Sequence, residues 1–197
     1  MIGNTSANIL SRRTNRLILL YTNMLYIRHG LKAYRNGESD KFYFDPPLTE
    51  QGKSTAIARF SDLLFKQGIP EYIISSPYLR ARETAQIAHD VILQLTGVSI
   101  GVKYDPLLGE YLGNQRKKDL ADGVHPETLE LQPIPPEEWR DYSARIQKHI
   151  AQATDCTWYI THGVVIQSIA YLKAGKKIPQ PKELPGILVI DNTINII

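Results

Sequence analysis

The chain has 197 residues, of which 43% are hydrophobic and 22% charged, with a formal net charge of +3. That gives room for one domain with a sizeable core, is short for two, and does not fit a disordered chain. The single cysteine, Cys156, excludes an internal disulfide framework and a thiolate metal cluster; lying in an apolar run, it reads as a buried, inert thiol.

Residues 1–23 are dominated by Asn, Ser, Thr and Arg, with one short apolar burst, and read as an N-terminal extension to a domain spanning 24–197. Part of the basic excess falls here, on Arg12, Arg13 and Arg16, and reads as solvated surface rather than a nucleic-acid footprint. Leu17–Ile27 is the nearest approach to a membrane span, but it is short and interrupted by Thr22 and Asn23, and no small-residue cleavage site follows. A soluble cytoplasmic protein with no membrane or nucleic-acid partner is the expectation.

Met24–Arg28 reads as the first strand of a buried sheet. Leu48-Thr49-Glu50 opens a helix with Thr49 as N-cap; Ile57, Phe60, Leu63 and Leu64 recur at helical spacing until Gly68 stops it. Glu71–Ser75, bounded by Pro70 and Pro77, reads as a strand, and Pro77 suits the first turn of a helix ending near Leu95, ahead of Gly97. Val98–Tyr104 alternates as a strand does, and Gly109–Pro135 is irregular and polar, a candidate binding loop. Pro136 starts a helix through Ala153, with Glu137 and Glu138 suiting its first turn. Cys156–Thr161 is a strand, Val164–Leu172 a helix, and Ile187–Ile190 and Thr193–Ile197 close the chain as one or two strands. Alternation of this kind predicts a three-layer α/β/α sandwich around a mostly parallel sheet.

In open α/β sheets, ligands gather at the carboxyl ends of the strands. Three predicted strands end in chemically loaded residues: Arg28-His29-Gly30, then Ser75-Ser76-Pro77 with Arg80 early in the helix, and Thr161-His162-Gly163. Singly each is weak. A strand-end histidine is more often structural than nucleophilic, and Arg80 alone reads as a surface charge paired with Glu83 of its own helix. Their joint placement is the informative feature.

Arg28-His29-Gly30, Leu48-Thr49-Glu50-Gln51-Gly52 with Asp45-Pro46-Pro47 before it, Ser75 to Ala85, and Thr161-His162-Gly163 resemble, in order, the signature blocks of the histidine phosphatase superfamily, also called phosphoglycerate mutase-like. The resemblance covers residues 24–197 and implies the phosphoglycerate mutase-like fold. It implies that His29 is the nucleophile that takes the phosphoryl group, and that Arg28, Arg80 and His162 surround the phosphate. Glu110 stands where the family's proton donor commonly lies, although the glycine-bearing sequence after it is only loosely reproduced; Asp105 and Glu127 are lesser candidates for that role.

The chemistry suits those residue types. A phosphoryl transition state spreads charge over three equatorial oxygens, which arginine forks hold and neutralise. Neutral imidazole attacks at physiological pH, provided that its other nitrogen is held protonated, as by a backbone carbonyl. The leaving alkoxide needs a proton, hence a carboxylic acid. The scheme needs no metal and no cofactor, and the two rings must meet across one anion-sized gap that solvent can reach. Lys32 and Arg35 read as substrate contacts or, equally, as solvated loop charges. The same holds for Arg116, Lys117 and Lys118, while Tyr34, Phe42, Tyr43 and Phe44 read as a substrate wall or as core. His89, His125 and His149 read as structural or surface.

The expected activity is hydrolysis of a small phosphorylated substrate or a phosphoprotein. The short span from Glu110 to His162, and Arg35 where the mutases of this superfamily usually carry asparagine, favour hydrolysis over phosphomutase action. A catalytically silent interaction module is the alternative from another class. Substrate and oligomeric state are not legible.

Overall fold

The computed structural model describes residues 23–33, 45–111 and 138–197. Arg35, Tyr34, Phe42, Tyr43, Phe44, Arg116, Lys117, Lys118, His125, Glu127, Pro136, Glu137 and residues 1–22 lie outside the described residues.

Six strands form one mixed sheet: β1 (Asn23–Arg28), β2 (Tyr72–Ser75), β3 (Val102–Tyr104), β4 (Thr157–Thr161), β5 (Gly186–Ile190) and β6 (Thr193–Ile196), in the spatial order β3-β2-β4-β1-β5-β6. The first four in that order run parallel, and β5 and β6 add an antiparallel hairpin at the β1 edge. Its two-residue turn puts Asp191 at φ 53°, as tight hairpins of this type require.

The helices are α1 (Glu50–Gln67), α2 (Leu79–Thr96), α3 (Trp139–Gln152) and α4 (Gly163–Ala174). Alternation along β1 decides the layering. Leu25 and Ile27 pack with Phe60 and Leu63 of α1 and Ala81, Ala85 and Ile92 of α2. Met24 and Tyr26 point the other way, against Tyr142 and Ile146 of α3 and Val165 and Ile169 of α4. A strand buried on both faces is apolar throughout, as Met24–Ile27 is. The three-layer sandwich expected from the sequence is what forms.

Four local expectations shift. Only Val102–Tyr104 of the 98–104 run is strand, because its partner β2 is four residues long and offers nothing to pair with Val98 or Ile100. The second helix begins at Leu79 rather than at Pro77, because the Asp45 carboxylate takes the Leu79 N–H at 2.7 and 2.8 Å and fixes where the helix starts. The third helix begins at Trp139, with Glu138 as its N-cap. Cys156 is exposed rather than buried, in the turn ahead of β4 with φ 54°. Among the described residues, no helix is long and apolar enough to cross a membrane.

Candidate active site

Sheet register alone brings the two histidines together. Parallel pairing sets Arg28 opposite Thr161, so the residues that follow, His29 and His162, leave neighbouring strands at the same level. The ladder runs one bond further, His29 N–H to the Thr161 carbonyl at 2.9 Å. On the far side of β4, Ser76 N–H donates to the Ile160 carbonyl at 2.9 Å, which brings the start of α2 to that level too. The result is a ring-to-ring centroid distance of 5.2 Å between His29 and His162.

The loop after β1 is held by α1 and α2. Gly30 N–H donates to Thr84 Oγ1 at 3.0 Å, and Leu48 N–H to Glu83 Oε2 at 2.6 Å. Glu83 therefore braces this loop instead of pairing with Arg80. Thr49 caps α1 through Gly52 N–H at 2.9 Å, a contact of a kind that contributes about 1 kcal/mol. Residue 52 must be glycine, since a Cβ there would stand 2.4 Å from the Leu31 carbonyl oxygen.

Beside both rings lies Arg80, 1% exposed. Its Nε donates to His29 Nε2 at 3.3 Å, Nη1 to Asp45 Oδ1 at 3.1 Å, and Nη2 to Glu110 Oε2, with His162 Nδ1 at 3.4 Å. One planar fork thus touches both rings and two carboxylates.

Proton positions follow from which partners can only donate or only accept. His29 Nδ1 lies 2.7 Å from the Gly30 carbonyl, so Nδ1 carries the hydrogen and Nε2 the lone pair. Guanidinium only donates, so His162 Nδ1 accepts, and its Nε2–H points to Ser76 Oγ at 2.9 Å. Burial pushes the pKa of both rings well below the usual histidine value. For His29, the companion ring and Arg80 add to that shift; for His162, Arg80 and then Arg28 do. Burial also raises Asp45 above the ordinary carboxylate range, against the pull of Leu79 N–H and Arg80.

Arg28 is 18% exposed at its side chain, donates to the Pro181 carbonyl at 2.6 Å and approaches Glu183 at 4.0 Å; its Nε is buried without a hydrogen-bond partner. Lys32 bridges to Leu48 in the loop after β1. Asp105 binds His149 at 2.9 Å and caps the 3-10 turn Pro106–Leu108. Burial alone would raise its pKa, but these bonds leave it lowered, which suits a structural anion better than a proton donor. His149, expected as structural or surface, is buried, and His89 Nδ1–H donates to the Ile100 carbonyl at 2.5 Å.

One expectation fails. His29 and His162 meet edge-on and are 2% and 0% exposed, so the expected anion-sized opening that solvent can reach is not formed between them. Asp45 and Glu110 pair with the Arg80 guanidinium, occupying donors that an anion would use, and the Tyr78 ring packs edge-on against His162 at 5.1 Å. Sequence reasoning placed Asp45 and Ser76 in its motif blocks but gave neither a role in the cluster. Asp45 lies far from Leu79 and Arg80 along the chain, and only folding reveals that it serves both.

A family model described as the histidine phosphatase superfamily (branch 1) matches residues 24–192. The chain belongs to that superfamily. Its fold resembles that of a mycobacterial glucosyl-3-phosphoglycerate phosphatase at 22% identity and TM-score 0.58, with 85% of this chain and 89% of that one covered. A phosphoglycerate mutase from Bacillus anthracis is similar at 18% identity and TM-score 0.61, with 89% and 91% covered. So is an ecdysone phosphate phosphatase from the silkworm, solved with tungstate, at 14% identity and TM-score 0.59, with 89% and 91% covered. No curated protein matches the chain by sequence.

Proposed function

We propose that this superfamily member is a metal-independent phosphomonoester hydrolase working through a phosphohistidine on His29. The observation that carries the reading is the lone pair of His29 Nε2 directed at Arg80, with the His162 ring edge-on beside it at 5.2 Å between centroids. A phosphate dianion entering beside the two rings displaces the Glu110 carboxylate from Arg80 and takes over the guanidinium hydrogens. It also offsets the repulsion of Arg80 and Arg28 for a His162 proton, so that His162 can protonate and donate to a phosphate oxygen. Arg28 supplies a further charge at the rim.

His29 Nε2 then attacks phosphorus as the bond to the ester oxygen breaks, and protonated Glu110 gives its hydrogen to the departing alkoxide. In the second half, Glu110 takes a proton from water, whose oxygen attacks the phosphohistidine; inorganic phosphate leaves and His29 recovers its lone pair. Lys32 and Arg35 are proposed to contact the rest of a small phosphorylated substrate or phosphoprotein.

The test is turnover of p-nitrophenyl phosphate in chelator, together with trapping of an alkali-stable, acid-labile phosphoryl adduct on residue 29. Wild type should turn over and label, and His29→Ala should do neither. No turnover from mildly acidic to neutral pH would turn the reading toward a silent interaction module. Interconversion of phosphoglycerates primed by the bisphosphate, faster than hydrolysis, would turn it toward a mutase.

A further inference from the structure

Glu110 has no regular element of its own. It follows β3 and the 3-10 turn Pro106–Leu108, in a stretch where a proton donor could drift. Yet the three carbonyls preceding it are each bound by a side chain from elsewhere. Arg145 Nη1 donates to the Leu107 carbonyl at 2.5 Å and to the Gly109 carbonyl at 3.1 Å. Thr161 Oγ1, one residue before His162, donates to the Leu108 carbonyl at 2.7 Å. The Gly109 carbonyl belongs to the same peptide plane as the Glu110 N–H, so Arg145 grips the plane from which the acid hangs.

We propose that Arg145, on α3, is a positioning residue that aims Glu110 at the leaving-group oxygen. This rests on Glu110 being the proton donor. Arg145 lies over the Tyr142 ring at 5.0 Å, which fixes its approach, and its guanidinium can bridge two carbonyls two residues apart. A flexible ammonium holds such a pair less well. Because general acid catalysis requires hydrogen-bond reach to the departing oxygen, a displacement of about 1 Å is enough to cost on the order of a hundredfold.

A residue acting through the proton donor has a signature that a phosphate contact or a fold defect lacks: its importance depends on the leaving group. Dinitrophenolate departs without a proton, whereas an alkoxide does not. The experiment compares kcat/KM, which reports the steps through the first phosphoryl transfer, for dinitrophenyl, p-nitrophenyl, phenyl and alkyl phosphates with the full chain.

Arg145→Ala should lose about 10- to 100-fold on the alkyl ester and less than about threefold on the dinitrophenyl ester. Arg145→Lys should fall between Arg145→Ala and wild type. Equal loss across the series, or none, overturns the proposal. Should Arg145→Ala fail to fold, Arg145→Lys and Thr161→Val, which frees the Leu108 carbonyl, carry the same test with the same outcomes. Glu110→Gln is the reference. If it shows no leaving-group dependence, the assignment of Glu110 is what fails; if wild type turns over none of the esters, it is the hydrolase reading.

Discussion

The domain buries histidines in two places, and the two places differ in kind. His149 is closed on both sides: Nδ1–H donates to Asp105 Oδ2 at 2.9 Å, and Nε2 accepts from the Tyr26 hydroxyl at 3.2 Å. Tyr26 in turn stacks on Tyr159 at 4.7 Å between ring centroids. Every polar atom in that chain has a partner from the protein itself, which is what a structural cluster needs. At His29 and His162 a neutral oxygen holds one nitrogen of each ring, and a cation faces the other. Nε2 of one ring and Nδ1 of the other face the same arginine, which also donates to two carboxylates. A closed chain stabilises. On the proposed reading, a guanidinium held by two carboxylates is where a phosphate would exchange in.

The widest separation between the clusters should come from Arg80→Ala. Losing a donor aimed at developing charge in a dry site costs about 10²- to 10³-fold. kcat/KM for p-nitrophenyl phosphate should fall by at least that much, with stability falling too, because Asp45 keeps a buried carboxylate without its cation. Arg80→Lys should recover little, since one ammonium cannot serve Asp45, Glu110 and His29 together. Activity within about tenfold of wild type would place the phosphate elsewhere.

His149→Ala is the counterpart. It leaves a cavity under the sheet and strips a partner from Asp105 and Tyr26, and it should cost about 2–4 kcal/mol of stability by denaturant unfolding. Turnover of dinitrophenyl phosphate by the folded enzyme, which needs no donated proton, should change only a few-fold. A large loss there would erase the distinction between the clusters.

The contrast was partly legible before folding. Glycine after each of two histidines at strand ends, and an arginine just inside the helix after a third strand, were enough to set His29, His162 and Arg80 together, because parallel register turns equal strand ends into neighbours. The layering was legible from apolar runs such as Met24–Ile27. What was not legible depends on contacts between residues far apart in the chain. Asp45 reaches Leu79 and Arg80 from the loop before α1, and Arg145 reaches back to residues 107 and 109. No periodicity or spacing records such meetings. Cys156 misled for a related reason: an apolar neighbourhood in sequence says nothing of a turn at the sheet's edge.

Acid should separate the clusters next. Burial depresses both site rings below the unfolded histidine value of about 6.5, so below that pH the unfolded chain binds protons that the native chain does not. Stability therefore rises with pH in this window and is lost as pH falls, by about 1 kcal/mol per pH unit for each ring. Urea midpoints measured from pH 7 down to pH 5 should show that slope, and His29→Asn should reduce it by about half. An unchanged slope in the variant would mean that the His29 ring is not held neutral.

The smallest and most selective test deletes one hydroxyl from each cluster. Tyr26→Phe removes the donor to His149 Nε2, and Ser76→Ala removes the acceptor of His162 Nε2–H. Each lost hydrogen bond should cost about 1 kcal/mol of stability, so thermal midpoints should move alike. Activity should not. Without the serine oxygen, only the longer Arg80 contact at 3.4 Å is left to orient the His162 ring, and kcat/KM should drop by about tenfold, whereas the tyrosine deletion should leave it near wild type. Equal activity losses in the two variants would show that the buried histidines are interchangeable in their demands, and that the arrangement around Arg80 has no special claim to the chemistry.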